Sequence, residues 1–218
     1  MPKERGGAKR LPETAITRLS IYRRALERLA AGHTYVSSAR LSAITGFTAA
    51  QIRRDLAHFG QFGVPGTGYE VRALQMQLSR ILGAGRSWRV ALVGVGSLGS
   101  ALLAYRAFQE QGFRVVAAFD NDLVKVGKRW EGIEIEHASR ISGLCRELGV
   151  EIGVVTVPAR AAQEAVSSLV AGGVKAILNF APHRVEVPEG VRLRSVDLSV
   201  EMEALAFHLL HDPPVPRR

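Results

Sequence analysis

Three glycines at a fixed spacing, Gly94, Gly96 and Gly99, are the residues of this chain most suited to binding a phosphate group. They follow a short apolar run, residues 89–93, and precede a stretch with helical periodicity. In such a strand–turn–helix unit the first glycine permits a tight turn, the second lets backbone amides approach a pyrophosphate, and the third allows close helix packing. We therefore predict that a dinucleotide is bound by the whole turn: Gly94, Val95, Gly96, Ser97, Leu98 and Gly99.

An acidic residue, Asp120, stands 21 residues after Gly99, at the end of a second apolar run. An acid about 20 residues past the glycines holds the hydroxyl groups of the adenosine ribose in such folds. Its charge would repel a 2′-phosphate, so Asp120 favours NADH/NAD over the NADP pair. Asp120 could instead only cap a turn, but the complete unit around it favours the ligand role.

Two later segments fall at the ends of further predicted strands, residues 152–156 and 176–179. The carboxyl ends of parallel strands line the ligand crevice of open α/β sheets. The candidate cofactor contacts there are Thr156, Val157, Pro158, Asn179 and Phe180. The same residues could simply form the turns that end the strands, and the sequence alone leaves both readings open.

The groups needed for catalysis are poorly represented. No Tyr-x-x-x-Lys sequence occurs, and His137, His183, His208 and His211 are scattered without a supporting partner. The single cysteine, Cys145, excludes a disulfide framework and any Cys-x-x-Cys zinc or redox motif. We therefore predict neither enzymatic activity nor a metal site.

The net charge of +9 lies wholly in the first part of the chain. Residues 1–86 contain 14 basic and 5 acidic side chains, whereas residues 87–218 contain 15 of each. A uniform excess would describe a solvated basic surface, but this segregation favours a dedicated nucleic-acid-binding module.

The same part of the chain has the pattern of a winged helix-turn-helix. A helix opening at residues 11–14 and stopping near Gly32 has apolar residues at helical spacing: Ile16, Leu19, Tyr22, Leu26 and Leu29. A short helix from residue 37 is expected to bury Leu41 and Ile44. The glycine-rich residues 60–69 predict a hairpin or wing. A further helix, with Val71, Leu74, Leu78 and Ile81 buried, leads to a domain boundary at residues 83–85.

The helix between the short helix and the wing is the expected DNA reader. Thr48 and Gln51 have the spacing of a capping box, which fixes its start. With Ile52, Leu56 and Phe59 inward, Ala50, Gln51, Arg54 and Ala57 point outward, and Arg53 flanks them. Arginine can bond guanine and glutamine can bond adenine in the major groove. Alternatively, Arg53 and Arg54 form salt bridges with Asp55 or Glu27 on a solvated face.

From residue 86 onwards, short apolar strands alternate with helices, which predicts a Rossmann-type doubly wound parallel sheet. The expected strands are 89–93, 115–119, 152–156, 176–179 and 193–196; the expected helices follow the glycine turn to about residue 111, then cover 141–148, 159–170 and 200–210. The fold class is therefore α/β, with a winged helix-turn-helix at 1–85, a Rossmann domain at 86–198 and a terminal helix and tail at 199–218. No apolar run reaches the roughly 18 residues of a membrane span, and no signal peptide is evident, so we expect a cytoplasmic protein.

In order and spacing, several segments resemble the Rex family of redox-sensing transcriptional repressors. The resemblance covers nearly the whole chain and is carried by residues 18–22, 36–41, 52–60, 66–71, 93–99, 118–120, 178–182 and 196–201. It implies a homodimer that binds double-stranded operator DNA and is released when NADH binds, whereas NAD is compatible with DNA binding. It also implies a C-terminal helix swapped onto the partner subunit.

The resemblance also assigns residues. It implies that Arg24, Tyr105 and Asp197 form a switch linking the nicotinamide pocket to the DNA-binding domains. Candidate DNA contacts are Arg18, Ser38, Thr48, Ala50, Gln51, Arg53, Arg54 and Gly66. One departure is the wing tip, where family members usually carry Arg or Lys and this chain has Val64-Pro65. Arg10 and Arg18 could supply compensating phosphate contacts.

Two other functions stay open at this point. One is a transcription factor of the same fold that responds to a different adenine-containing ligand or to none. The other is an NAD-dependent oxidoreductase whose N-terminal helices serve only dimerisation.

Overall fold

The computed structural model describes residues 13–64 and 66–211. The chain divides into two compact units, Met1–Arg86 and Ser87–Arg218. The candidate contact Arg10 and the wing-tip residue Pro65 lie outside the described residues. None of the described helices is both long and apolar enough to cross a membrane.

The N-terminal unit, Met1–Arg86, contains helices and a small antiparallel sheet. Its elements are α1 (Glu13–Leu29), β1 (Tyr35–Val36), α2 (Ser38–Thr45), α3 (Ala49–Ala57), β2 (Gly63–Val64), β3 (Gly68–Glu70) and α4 (Val71–Leu82). The strands lie in the order β1-β3-β2. Helices followed by a β2–β3 hairpin are the winged helix-turn-helix expected from the sequence.

Local sequence signals set the ends of α2 and α3. The Ser37 side chain accepts a hydrogen bond from the backbone N–H of Arg40, and Gly46 ends α2 with a left-handed φ of 76°. Thr48 caps α3 by accepting from the N–H of Gln51, as predicted. The second half of the capping box does not form, because the Gln51 amide bonds to Asp55 instead.

The core of this unit is built by α1, α2, α3 and α4. Its largest fully buried side chains are Tyr22, Leu19, Leu26, Leu41, Ile52, Leu56, Leu74 and Leu78. Three residues expected to be buried are at least 36% exposed: Ile16, Ile44 and Ile81. In α1 the buried face runs through Ala15, so Ile16 is rotated away from it. Beyond α2, Phe47 packs edge-on against Tyr22, so Phe47 rather than Ile44 covers that part of the core.

The C-terminal unit, Ser87–Arg218, has a seven-stranded sheet among its described residues, in the order β10-β9-β8-β4-β5-β7-β6. The strands are β4 (Trp88–Val93), β5 (Phe113–Asp120), β6 (Arg129–Trp130), β7 (Ile133–His137), β8 (Ile152–Val155), β9 (Ala176–Asn179) and β10 (Arg192–Ser195). The helices are α5 (Ser97–Leu103), α6 (Arg106–Glu110), α7 (Ile141–Glu147), α8 (Ala159–Ala171) and α9 (Leu198–His211). All neighbouring strands run parallel except β6, which is antiparallel to β7.

The predicted parallel sheet is confirmed, but two details differ. Strands β6 and β7 were not predicted: both residues of β6 are exposed, and β7 has five residues, of which only Ile135 is buried. One helix was expected up to residue 111, whereas the structure has α5 and α6 with a break at Ala104–Tyr105.

The strand order reverses between β4 and β8, because the chain first adds β5 and β7 on one side and then β8, β9 and β10 on the other. A crevice forms at the carboxyl ends of the strands where such a reversal occurs, and ligands bind there in open α/β sheets. The glycine turn leaves β4 at this point.

The last helix, α9, buries none of its residues in the described structure. Its exposed apolar side chains are Leu198, Val200, Met202, Leu205, Phe207, Leu209 and Leu210. A helix with so much exposed apolar surface is typical of an interaction site.

Candidate functional site

The three glycines form the tight turn that their spacing predicts. Gly94 has a left-handed φ of 98°, and a Cβ there would lie 2.8 Å from Val157 Cγ1. A Cβ on Gly99 would lie 2.0 Å from the carbonyl oxygen of Gly94, so only glycine lets the helix pack this closely on the turn. A Cβ on Gly96 would meet nothing within 4 Å. The space beside Gly96 is thus open for a group that approaches the backbone.

Thr156, directly after β8, stabilises this turn. Its hydroxyl donates to the carbonyl oxygen of Gly94 at 2.7 Å and lies 3.1 Å from that of Val93. The hydroxyl group therefore supports the shape of the turn, while the neighbouring Val157 and Pro158 line the cavity in front of it.

Asp120, at the end of β5, is tied directly to the glycine turn. Its Oδ2 accepts the backbone N–H of Val95 at 2.8 Å, and its Oδ1 accepts that of Asp122 at 2.9 Å. The ammonium group of Lys125 lies 3.1 Å from Oδ2. Burial by itself raises the pKa of Asp120, but the hydrogen bonds from Asp122, Lys125 and Val95 outweigh it and lower that pKa. The carboxylate is therefore kept ionised beside the turn.

Asp120 and the glycine turn share one cavity of about 530 Å³, which is within the usual size range of small-molecule sites. The predicted contacts that line it are Gly94, Gly96, Asp120, Thr156, Val157 and Pro158. Asn121, Lys125, His137 and Arg160 also line it and were missed from the sequence. A cation five residues after the acid was the available signal for Lys125. The open space at Gly96 and the ionised acid fit the phosphates and ribose of a dinucleotide.

The other predicted contacts lie differently. The side chain of Val95 is buried in the core, whereas Ser97 and Leu98 are exposed. The fully buried Asn179 amide bonds to the backbone of Ala181 and His183, so its side chain stabilises the turn after β9. Phe180 packs against the core. For Asn179 the structure therefore favours the turn-forming alternative over a side-chain contact with a ligand.

No group of three or more His, Cys, Asp or Glu side chains suited to a metal ion is found within the described ranges. The His137 ring in the cavity wall bonds to Ser139 through Nδ1. Cys145 is fully buried, and burial raises its pKa to about 11.

The N-terminal unit presents an exposed cationic surface on α3. Arg53 and Arg54 are both exposed, as is Ala50. Arg53 donates to the Ser38 hydroxyl at 2.8 Å, which brings two predicted DNA contacts from α2 and α3 together. A groove of about 540 Å³ runs between α3 and the wing, and Ser38, Arg53 and Gly66 all line it. Thr48, the cap of α3, is exposed at the helix start.

Arg18 on α1 forms an ion pair with the buried Asp55 of α3. Its Nε and Nη2 donate to the two carboxylate oxygens of Asp55 at 2.6 and 2.8 Å. Asp55 also accepts from the Tyr22 hydroxyl at 2.9 Å and from the Gln51 amide at 2.8 Å. These donors occupy all four lone-pair positions of the carboxylate. Arg18 therefore anchors α3 on α1 through two of its five N–H donors, and Gln51 is likewise engaged within the protein. A DNA contact through the remaining donors of Arg18 stays a prediction.

The same contacts argue against salt bridges from Arg53 and Arg54 to Asp55 or Glu27. Asp55 bonds to Arg18 rather than to Arg53 or Arg54, and Glu27 pairs with Arg23 on the same helix. Burial raises the pKa of Asp55, but the hydrogen bonds from Arg18, Tyr22 and Gln51 outweigh it and lower that pKa. Burial, together with the bond to Asp55, raises the pKa of Tyr22.

Val64 and Gly66 of the wing and the three switch candidates are exposed. Gly66 takes a left-handed φ of 79°, and Val64 is 58% exposed. Arg24 lies on the exposed face of α1 in the N-terminal unit. In the C-terminal unit, Tyr105 directly precedes α6 and lies edge-on to Phe108. Asp197 Oδ1 accepts the backbone N–H of Ser199 at the start of α9.

Comparison with known proteins gives matches over both units. Residues 85–183 match the family described as CoA binding domain, and residues 10–57 match the family described as Putative DNA-binding protein N-terminus. The Redox-sensing transcriptional repressor Rex of Carboxydothermus hydrogenoformans is 48% identical over 93% of this chain and 98% of that protein. Its counterpart from Streptomyces coelicolor is 45% identical over 91% of this chain and 77% of that protein.

Solved structures agree with these matches. RSP in complex with beta-NAD+ and operator DNA superposes with a TM-score of 0.88 at 34% identity, over 92% of this chain and 93% of that chain. RSP in complex with beta-NADH gives a TM-score of 0.84 at 32% identity, over 92% and 95% of the two chains. The crevice, the winged helix-turn-helix and the 48% identity over nearly the full length all agree with these matches. This chain therefore belongs to the Rex family of redox-sensing transcriptional repressors.

Proposed function

We propose that this protein binds operator DNA as a homodimer and is released when NADH binds in the crevice of its C-terminal unit. The observation that carries the proposal is the cavity in which an open glycine turn faces the ionised Asp120. The structures of RSP with beta-NAD+ and operator DNA and of RSP with beta-NADH support binding of the cofactor and of DNA. The exposed arginines of α3 and the net charge of the N-terminal unit support the DNA side.

Asp120 also bears on which adenine nucleotide is bound. The match to a CoA binding domain family keeps a different adenine-containing ligand as the second candidate. Coenzyme A and NADP both carry a phosphate on the adenosine ribose, and an ionised carboxylate at the ribose position repels it. Asp120 therefore favours a ribose with free hydroxyl groups, as in NADH and NAD. The relatives are named as repressors, which argues against an oxidoreductase.

The response to redox state requires that the two forms of the cofactor bind two protein conformations unequally. Oxidised nicotinamide carries a positive charge, whereas the reduced ring is neutral. In this proposal the glycine turn and Asp120 hold the adenosine half, and Arg24, Tyr105 and Asp197 act together as the switch that the family resemblance assigns. A dimer must place its two α3 helices about one helical turn of DNA apart, roughly 34–36 Å, so a small change in their separation weakens binding.

The terminal helix α9 supplies the proposed dimer contact. Its apolar side chains are exposed in the single chain, and a swap onto the partner subunit would bury them. We place the protein in the cytoplasm, because a bacterial repressor acts in the compartment that holds the DNA.

The direct test is an electrophoretic mobility shift with operator DNA selected from a random pool. We expect NADH to weaken the complex far more than an equal concentration of NAD, because only the reduced form favours the released conformation. Calorimetric titration with NADH, NAD, NADPH and coenzyme A identifies the ligand. A shift that is insensitive to NADH would contradict the proposed function.

A second prediction concerns base reading by Arg54. Arg54→Ala is expected to cost about 1–3 kcal/mol of operator binding and to relax base preference at one position, because arginine bonds guanine through two hydrogen bonds. Arg72→Ala is the matched control, since Arg72 is an exposed arginine on α4 of the same unit. Unchanged sequence preference in Arg54→Ala, measured by selection from a random pool, would remove Arg54 from the reading surface.

A further inference from the structure

The hydrogen bonds of Asp120 leave little capacity for a ribose. A carboxylate offers about four lone-pair positions. Oδ2 already accepts from the Val95 N–H and the Lys125 ammonium, and Oδ1 accepts from the Asp122 N–H. One position remains free, whereas a ribose with two free hydroxyl groups offers two donors. As the side chains stand, Asp120 can bind only one of them.

Lys125 is the partner that can leave. The other two donors are backbone amides held by the glycine turn and by the turn after β5, whereas Lys125 is a flexible side chain that is 36% exposed. Lys125 also lies 3.7 Å from Asp122, so its ammonium has a second carboxylate close by. It lines the cavity beside Asp120, within reach of a molecule bound there.

We propose that Lys125 is a second ribose-recognition residue and determines how strongly the site rejects a 2′-phosphate. Lys125 releases Asp120 Oδ2 to a ribose hydroxyl and donates a hydrogen bond of its own to a ribose oxygen. An ammonium group has three donors and no acceptor, so it complements the acid. This inference rests on the proposed function and adds to it the residue that sets selectivity between NADH and NADPH.

The local charge gives the direction of the effect. Asp120, Asp122 and Lys125 together carry one net negative charge, which repels a 2′-phosphate. Loss of the lysine charge leaves two negative charges and no nearby cation from this cluster. Because NADH has no 2′-phosphate, the lost charge penalises NADPH far more than NADH.

The experiment measures the dissociation constants of NADH and NADPH, using the fluorescence of the reduced ring, for the full chain and its variants. In Lys125→Gln we expect the ratio of the NADPH constant to the NADH constant to rise at least about fivefold, which is the scale of one partly exposed charge pair. Lys125→Arg, which keeps the charge, should stay within about twofold of the wild-type ratio. Lys128→Gln is the matched control, since Lys128 is an exposed lysine three residues away.

A second pair of variants covers the case of very weak NADPH binding by the wild type. Asp120→Asn removes the repelling carboxylate, so Lys125 should then attract the 2′-phosphate and make NADPH binding measurable. Adding Lys125→Gln to Asp120→Asn should abolish that gain. The concentration of each nucleotide that releases operator DNA is a second measurement, independent of the fluorescence titration.

The outcomes separate the two proposals. Wild-type protein that binds neither NADH nor NADPH contradicts the proposed function and this inference with it. The role of Lys125 alone is overturned by a different set of results. The wild type then binds NADH, the ratio of the NADPH and NADH dissociation constants is unchanged in Lys125→Gln, and the NADPH binding gained in Asp120→Asn persists in the double variant.

Discussion

Replacing Asp55 with alanine is expected to remove about 2–4 kcal/mol from the free energy of unfolding of the N-terminal unit. The carboxylate is 5% exposed and accepts hydrogen bonds from Arg18, Tyr22 and Gln51. Its loss leaves a buried phenol and a guanidinium without their acceptor, and breaking a buried ion pair on one side is strongly destabilising. Arg18 is 19% exposed and can turn to water, which limits the loss. Urea unfolding followed by circular dichroism measures it.

The matched control is Glu27→Ala on α1. Glu27 pairs with Arg23 one turn away, and its side chain is 43% exposed. Exposed pairs of this spacing contribute only about 0.3–0.5 kcal/mol, so this variant should unfold almost as the wild type does. Equal losses in the two variants would contradict the anchoring role of Asp55.

The pH dependence identifies the carboxylate as the cause. The folded-state pKa of Asp55 is lowered, so its contribution is fully present above the unfolded pKa of about 3.9 and is lost as the pH falls through the lower folded value. The difference in unfolding free energy between wild type and Asp55→Asn should therefore shrink below about pH 4. A constant difference from pH 7 to pH 2 would point to packing rather than charge.

Gly96→Ala should weaken NADH binding by about 100-fold while leaving the fold intact. A Cβ at Gly96 meets nothing within 4 Å, and the backbone φ of −85° suits any residue, so the variant should melt at the wild-type temperature or slightly above it. The methyl group would occupy the open space beside the turn and keep a phosphate from the backbone amides. Loss of one or two charge-assisted hydrogen bonds corresponds to the stated change. Calorimetric titration with NADH, paired with thermal melting, gives both quantities.

Two other glycines make this experiment specific. Gly143 in α7 also has open space around its Cβ position and does not line the cavity, so Gly143→Ala should bind NADH normally. Gly99→Ala places a Cβ 2.0 Å from the Gly94 carbonyl oxygen, so it should lower stability as well as NADH affinity. Normal NADH affinity in Gly96→Ala would show that phosphate does not approach the backbone there.

The sequence predicted those parts of the molecule that depend on neighbours along the chain. The Thr48 cap needs only the N–H of Gln51 three residues later, and it forms as expected. The glycine turn likewise needs only a strand before it and a helix after it. Short elements were harder: β7 was missed although residues 133–136 alternate apolar and acidic side chains, because four residues are the shortest alternation that indicates a strand.

Side-chain partners distant in the chain could not be predicted. Arg18 and Asp55 are 37 residues apart, so nothing in the sequence indicated that Arg18 pairs with a buried acid. Asn179 was equally ambiguous until its amide was found on the turn at residues 181–183. Lys125 had no assigned role until its distance to Asp120 was known.

By itself, the sequence determined the two-part architecture, the glycine turn with its acid, and the exposed cationic helix α3. Periodicity, glycine spacing and charge segregation are local properties that any fold of this chain must satisfy. The tertiary structure alone decided which polar groups are free to meet a ligand and which are engaged within the protein. The physical reason is that a hydrogen-bond donor has the same identity in the sequence whether its acceptor is a phosphate or a buried carboxylate, and only folding brings that acceptor within 3 Å.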